Sequence, residues 1–325
     1  MTWEEFLLSA GIKAIKMDLP DVQANEPDIN VGLDKVGVSK IKKQIKLARE
    51  GSRDPVILNS EFEISVDLPS DRKGANLSRN FEAINEVLEK AIDEPVYEIE
   101  GLCIAVAEEL MNKHEYASRA IVTMESEVAL EKNAPVSGLA SQNVTKIFAE
   151  AVVDDKGATN EVGAEVTGTT ACPCAQEIMA EKITDKLKEH GLSESKAIDV
   201  VKDIPIPTHN QRGRGFLSIK TSPNINIPIE SLIDIINDSM SSEIFELLKR
   251  EDEAYVTDKI HSNPVFVEDT VRKMILKSLQ KFPNLPKDAV IEARQVNKES
   301  IHNHDVFAQK KEKVANLKKD FSELS

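Results

Sequence analysis

The chain is 325 residues long, 41% hydrophobic, 30% charged and 4% aromatic, which provides aliphatic cores for one large domain or two of ordinary size. A formal charge of −15 excludes general binding to nucleic acid or anionic membrane surfaces, because a diffuse phosphate-binding face needs net basic patches; one nucleotide in a locally basic pocket stays compatible with it. Three cysteines make no disulfide framework, no signal-peptide pattern opens the sequence and no apolar run approaches membrane-spanning length, so a reducing cytoplasm is the expected compartment.

Residues 1–35, polar with Leu19-Pro20 and Glu26-Pro27, read as an arm or extended lead-in. Val38, Ile41 and Ile45 then sit among lysines, and residues 55–58 and 62–66 alternate as strands do. Phe81, Ile84, Val87, Leu88 and Ala91 give residues 80–91 a helical spacing, and 102–110 continue as a second helix. Strand texture returns at 120–124 and 144–153. The second half repeats this order: strands at 161–170 and 216–219, helices over 229–248 and 267–279, a last strand region opening at 289–293, and a polar Lys-rich tail. Residues 177–203, with Ile178, Ile183, Leu187 and Leu192, form a helical insert. Strand pair, two helices, strand pair thus occurs twice, with a seam near 154–157. The expected class is α+β, in two similar modules over residues 1–155 and 156–325, the second carrying most of the chemistry.

That chemistry is concentrated in Cys172-Pro173-Cys174, His209 and Glu299-Ser300-Ile301-His302-Asn303-His304. Thiolate, imidazole and carboxylate together hold first-row divalent metals, and a small ligand set leaves room for water, so hydrolysis is the first hypothesis. The single spacer between Cys172 and Cys174 is shorter than a structural-zinc pair requires, and both can equally be small buried side chains beside a turn. His209 lies in a loop-like stretch before a strand, where Arg212, Gly213, Arg214 and Gly215 suggest backbone and guanidinium groups approaching an anion. On a helix Glu299 and His302 would share a face; on a strand His302 and His304 would. His114, His190 and His261, set among charges, read as surface residues. The run at 249–253 reads as a solvated helix end, and Glu268 as either a buried carboxylate at a helix start or an ordinary acidic first turn.

Taken together the motifs resemble the GTP cyclohydrolase family built of tandem tunnelling-fold modules. The resemblance is carried by Gly-Leu-Asp-Lys-Val-Gly-Val at 32–38, the stretch 67–79, Cys-Pro-Cys-Ala-Gln at 172–176 and His-Asn-Gln-Arg at 209–212. Leu-Leu-Lys-Arg-Glu-Asp-Glu at 247–253, Asn-Pro-Val-Phe-Val-Glu-Asp at 263–269 and Glu-Ser-Ile-His-Asn-His-Asp at 299–305 continue it along nearly the whole chain. The long separation of Cys172 from His209 departs from the bacterial members and is similar to the archaeal methanopterin-pathway branch.

The resemblance implies opening of the guanine imidazole ring of GTP, with Cys172 catalytic and a metal set of Cys172, His209, Glu253, Glu299 and His302; Glu251 and His304 are the neighbouring alternatives. It implies that Glu268 holds the purine. Arg212 and Arg214, with Arg79 and Lys73 behind them, are candidates to hold phosphates. It further implies Fe(II), one per subunit, with Zn or Mn as alternatives, and a homo-oligomer, dimer or tetramer, with sites between subunits. The product expected of that branch is 7,8-dihydroneopterin 2′,3′-cyclic phosphate. The rival outcomes are dihydroneopterin triphosphate, as in the bacterial reaction, and a non-catalytic purine- or pterin-binding module.

Overall fold

The computed structural model describes residues 21–48, 55–93, 96 and 98–322; most of the polar lead-in, residues 1–20, lies outside them. After a 3-10 turn at Val22–Ala24 come β1 (Leu33–Leu47), β2 (Val56–Leu68), α1 (Ser78–Asp93), α2 (Ile99–Lys113), β3 (Arg119–Asn133) and β4 (Ala140–Asp154). The chain continues through β5 (Gly157–Ala171), α3 (Pro173–Glu189), α4 (Glu194–Lys202), β6 (Asn210–Thr221), α5 (Ile229–Asn237) and β7 (Ser242–Glu243). It ends with α6 (Arg250–Ser262), α7 (Val267–Lys281), β8 (Val290–Lys298), β9 (Asp305–Lys313) and α8 (Val314–Ser322). Among the described residues, no helix is long and apolar enough to cross a membrane.

The strands form one antiparallel sheet in the order β1-β2-β3-β4-β5-β6-β8-β9, with short β7 beside β5. Strand register explains why one face is covered. Phe62 pairs with Met124, Met124 with Ala149, Ala149 with Val162, Val162 with Ile219 and Ile219 with Ile291. All six are buried in the same apolar cluster. Side chains alternate across a strand, so slipping every strand by one residue would carry Glu61, Glu125, Glu150, Glu161, Lys220 and Glu292 into that layer. The helices pack on the apolar face: α2 on β3 and β4, α5 on β5 and β6, and α7 on β8 and β9. Leu232, Ile233, Ile235 and Ile236 supply the buried stripe of α5. The opposite face is concave and open, with a cavity of about 1020 Å³ lined in part by Lys42, Glu61, Glu125, Lys146, Phe148 and Phe216. The architecture is α+β, and the order β-β-α-α-β-β occurs in each half, interrupted in the second by α3, α4, α5 and β7.

Several elements differ from the sequence reading. The stretches expected at 55–58 and 62–66 belong to one strand, β2, which starts at Val56. The helix expected over 229–248 stops at Asn237, where Asp238 and Ser239 follow. Residues 242–243 beyond it pair with β5 instead, since Asn, Asp and Ser compete with helical hydrogen bonding. The Lys-rich tail is edge strand β9 followed by α8, whose Val314 and Leu317 are buried; lysines suit an edge that must not recruit further strands. The run at 249–253 starts a helix and does not end one.

His114 is completely buried, contrary to its surface reading, whereas His190 is exposed. His114 Nδ1 lies 2.7 Å from Tyr116 OH and His114 Nε2 2.7 Å from Asn80 Oδ1. Asn80 Nδ2 in turn donates to Ile64 O at 3.2 Å. Asn80 Oδ1 is therefore an acceptor, so the neutral ring with its proton on Nε2 satisfies both contacts. Burial, reinforced by the Arg79 and Arg72 charges, lowers this histidine to about 4. The unfolded chain takes up this proton first, so the stabilisation is complete above about pH 6.5 and is lost as pH falls from there through about 4. Urea unfolding should show a lower midpoint at pH 5 than at pH 7. His114→Gln should be less stable at pH 7 and should flatten the change across that interval.

Candidate active site

Three strand ends meet where β5 stops and β6 starts. The ladder pairs Thr170 with Gln211 and Ala171 with Asn210, and the Cys172 N–H extends it by donating to His209 O at 3.1 Å. On the other side β6 pairs with β8 through Gly213 and Asn297. Continuing that register brings Glu299 opposite Gln211. Alternation therefore puts Cys172, His209 and Glu299 on one side of the sheet, the helix side, at its rim. A soft thiol, an imidazole and a carboxyl group, from residues widely separated in the chain, thus face the same side of adjoining strand ends.

Local hydrogen bonds hold each group. Cys172 is the N-cap of α3, its Sγ accepting from Ala175 N at 3.5 Å and its carbonyl from Thr208 Oγ1 at 3.0 Å; Pro173 suits the first helical position, where its missing N–H costs nothing. His209 Nδ1 lies 3.0 Å from Gln211 Oε1 and 3.8 Å from Glu299 Oε2. The His209 and Glu299 side chains are only 16% and 10% exposed. The segment 261–268 is tied to the same rim, because Val265 N donates to Ala171 O at 3.1 Å. Gln176 Nε2 bridges the carbonyls of Ile206 and His261, both at 2.7 Å. His261 is buried at the back of this rim, its Nδ1 2.9 Å from Thr257 O and its Nε2 3.5 Å from Asn210 Nδ2, and so is not the surface residue expected.

The other sequence candidates stand apart. Glu253 and Glu251 are exposed in the first turn of α6, and the buried carboxylate there is Asp252. Asp252 accepts from Val136 N, Ser137 N, Ser137 Oγ and Lys249 N at 2.6–2.9 Å, tying α6 to the β3–β4 turn. Burial alone would raise this carboxyl, but those donors outweigh it and hold it well below the usual carboxylate range. Glu268 does lie in the first turn of α7, but it is exposed. His302 and His304 are exposed in the β8–β9 connection, neither helix nor strand, with rings stacked 5.1 Å apart. Cys174 is exposed. Among the described residues, no group of three His, Cys, Asp or Glu side chains is close enough to hold a metal ion.

Arg212 and Arg214 lie within β6, not in a loop, and alternation directs them to the open face, away from His209. Arg214 Nη1 pairs with Glu165 Oε1 at 3.7 Å. Lys73 and Arg79 follow the end of β2, at the opposite end of the sheet, a strand length of roughly 45 Å from Cys172. There Lys73 pairs with Asp28 at 3.4 Å and Arg79 donates to Lys113 O at 2.7 Å. One chain does not bring these cations to the rim.

Gly213 and Gly215, beside the arginines, have a packing cause and do not form an anion loop. A Cβ on Gly213 would lie 2.3 Å from Gln295 Nε2 and 2.8 Å from Asn297 Oδ1, and one on Gly215 would lie 2.4 Å from Ile236 Cγ2. Gln295 and Asn297 are buried and joined by a 2.9 Å hydrogen bond. They form a polar floor immediately inside Gln211 and Glu299, for which no sequence signal on β6 exists. Gly213→Ala should break the Gln295–Asn297 bond, costing about 1–3 kcal/mol for a buried polar group left unmatched, and should lower the denaturant midpoint without changing its slope.

The chain also resembles known proteins. Residues 19–308 match the family model described as type I GTP cyclohydrolase folE2. GTP cyclohydrolase MptA 1 of Methanocella arvoryzae is 50% identical over 305 residues, 94% of this chain and 96% of that protein. GTP cyclohydrolase MptA of Methanosarcina mazei is 48% identical over 313 residues, 94% of this chain and 98% of that one. Among solved structures, uricase from Arthrobacter globiformis superposes with a TM-score of 0.47 at 9% identity, covering 87% of this chain and 94% of that one. With the match running through every motif segment that meets at the rim, the chain belongs to the type I GTP cyclohydrolase folE2 family.

Proposed function

We propose that this protein is an Fe(II)-dependent GTP cyclohydrolase that converts GTP to 7,8-dihydroneopterin 2′,3′-cyclic phosphate, formate and pyrophosphate, the opening step toward methanopterin. The observation that carries the reading is that Cys172, His209 and Glu299 face one side of three adjoining strand ends, His209 and Glu299 lying 3.8 Å apart. Thiolate, imidazole and carboxylate fit a borderline divalent ion, Fe(II) in this reading, with Zn and Mn suited to the same donors. Glu299, His209 and Cys172 would hold it, joined by His302 and Glu253 from the neighbouring connection and helix. Such an ion supplies Lewis-acid activation of water for addition at guanine C8.

The remaining work falls to the chain's own residues. Glu268 offers two acceptor oxygens at a helix start tied to the rim through Val265, suited to the paired N1–H and 2-amino donors of guanine. Cys172, partly exposed at the start of α3, would hand a proton to or from the opening ring. Arg212 and Arg214 would hold phosphates by charge-assisted hydrogen bonds. Because they face the open side, and Lys73 and Arg79 the far end, the reading requires a homo-oligomer, a dimer or tetramer, in which a second copy completes each site. The uncovered sheet face and the methanogen relatives named GTP cyclohydrolase MptA support it.

Protein purified without oxygen should hold about one divalent ion per chain, as an open mononuclear site requires, and His209→Ala and His302→Ala should lose both ion and turnover. Full metal content with full turnover in both variants would remove the metal assignment. Glu268→Gln turns one acceptor into a donor and should weaken GTP binding by roughly 1–3 kcal/mol, about 5- to 150-fold, while metal content, read by elemental analysis, stays unchanged. Incubation with GTP and Fe(II), followed by mass spectrometry and a pyrophosphate assay, should give the cyclic phosphate with pyrophosphate and formate. Dihydroneopterin triphosphate without pyrophosphate would instead identify the bacterial-type reaction, and no turnover of GTP would point to a binding module.

A further inference from the structure

One side chain, Gln176, joins three separate stretches of the rim. Its Nε2 donates to Ile206 O and to His261 O, both at 2.7 Å, across 30 and 85 positions of sequence. Both neighbours are carbonyls, which only accept, so the amide must turn its NH2 toward them and both of its protons are used. Gln176 lies in the first turn of α3, whose N-cap is Cys172, and its own N–H donates to Cys172 O at 3.3 Å. From Ile206 the chain runs through Thr208 to His209. From His261, at the end of α6, it runs through Val265 to Glu268 at the start of α7.

Packing does not replace this clamp. No side chain of α3 is buried, and α4 buries only Ala197, whereas α7 buries Val267, Val271, Met274 and Ile275. A cavity of about 520 Å³ between the insert and the end of α6 has Gln176, Ile206 and His261 in its wall. Most helices in proteins are held by a buried face. Without one, the direction in which α3 leaves β5 rests on hydrogen bonds at its first turn. Ala175 N meets the Cys172 thiol and Thr208 Oγ1 meets its carbonyl; of these ties, the Gln176 bridge is the one that reaches α6.

We infer that Gln176 is a positioning residue: by clamping both carbonyls it fixes the start of α3, and with it the Cys172 thiol, against the segment that carries Glu268. The inference rests on the reading of Cys172 as the proton-transfer group and Glu268 as the purine's acceptor given above. The Glu268 segment has a second tie to the sheet, from Val265 N to Ala171 O at 3.1 Å, so loss of the clamp frees chiefly the Cys172 side. The base then stays bound while the thiol drifts, which lowers turnover and spares substrate affinity.

The test is steady-state formate release from GTP by the full-length protein purified without oxygen, with thermal unfolding to show that each variant is folded at the assay temperature. Gln176→Met, similar in length but without a donor, should lower kcat by about 10- to 100-fold, the loss that ångström-scale misplacement of a reacting group produces, and should change KM by no more than a few-fold. A second readout does not depend on turnover. In a Cys174→Ser background Cys172 is the one thiol that is not buried, and in the chelator-treated full chain its alkylation by iodoacetamide should run several-fold faster with Gln176→Met, as the thiol leaves Ala175 N. Where Gln176→Met does not fold, Gln176→Glu, matched in shape and short of a donor even when protonated, takes its place. Wild-type kcat and alkylation rate in the clamp variant, with turnover lost in Cys172→Ser, would overturn the positioning role while leaving the reading of the site intact. A raised KM at unchanged kcat would overturn it as well, and so would unchanged alkylation beside a fallen kcat, because the thiol would then not have moved. Full turnover in Cys172→Ser would overturn the reading on which the role depends.

Discussion

The antiparallel register of β5, β6 and β8 is the constraint on which the rest of the molecule depends. Because side chains alternate along a strand, one choice of pairing decides at once which residues enter the core and which reach the rim. The same register that stacks Val162, Ile219 and Ile291 beneath the helices also carries Cys172, His209 and Glu299 to a common side. The core therefore guarantees the site: a slip that misplaced the chemical groups would first bury a row of glutamates and a lysine. Stability and chemistry are two readings of one alignment.

That arrangement explains why the rim groups can work together despite an acidic protein around them. His209 and Glu299 are largely withdrawn from water, where hydrogen bonds are stronger than they would be on the surface. Thr170, Gln211, Gln295 and Asn297 form a buried polar layer beneath them. Such a layer is tolerable because most of its members satisfy one another, and it fixes side-chain directions that an aliphatic floor would leave free.

Much of the fold was legible because period-two and 3–4 spacing survive wherever a face is buried, as in residues 62–66 of β2 and 80–91 of α1. Misreadings arose where the deciding partner is remote. Leu247 and Leu248 look helical beside α5, but Ser242 is claimed by β5. The lysines of β9 look like a tail until β8 is seen beside them. Gly213 and Gly215 look like an anion loop because the bulk they accommodate lies in other elements, Gln295 and Asn297 of β8 for Gly213 and chiefly Ile236 of α5 for Gly215. At the site, the strand-end residues could be singled out from short motifs, since Cys172 and His209 directly flank β5 and β6. His261 could not, because its burial comes from Gln176 and Asn210 in other segments. Nor does any local pattern mark Asp252 above its neighbours Glu251 and Glu253 except its place as a reciprocal cap at N3.

Asp252 also bears on how the molecule reaches its native state. Its bonds to Val136 and Ser137 join residues 116 and 115 positions apart in sequence, and the β6–β8 ladder likewise waits for a long intervening stretch of chain. Contacts of such high sequence separation are closed at a large entropic cost and come late, whereas the β3–β4 and β4–β5 hairpins close locally. The hairpins of the middle of the sheet would then act as a template on which α6 and β8 dock. The rim, whose groups are drawn from β5, β6 and β8, would be among the last regions to acquire its final form. Folding intermediates of this chain would accordingly possess a sheet before they possess the rim at which Cys172, His209 and Glu299 share one side.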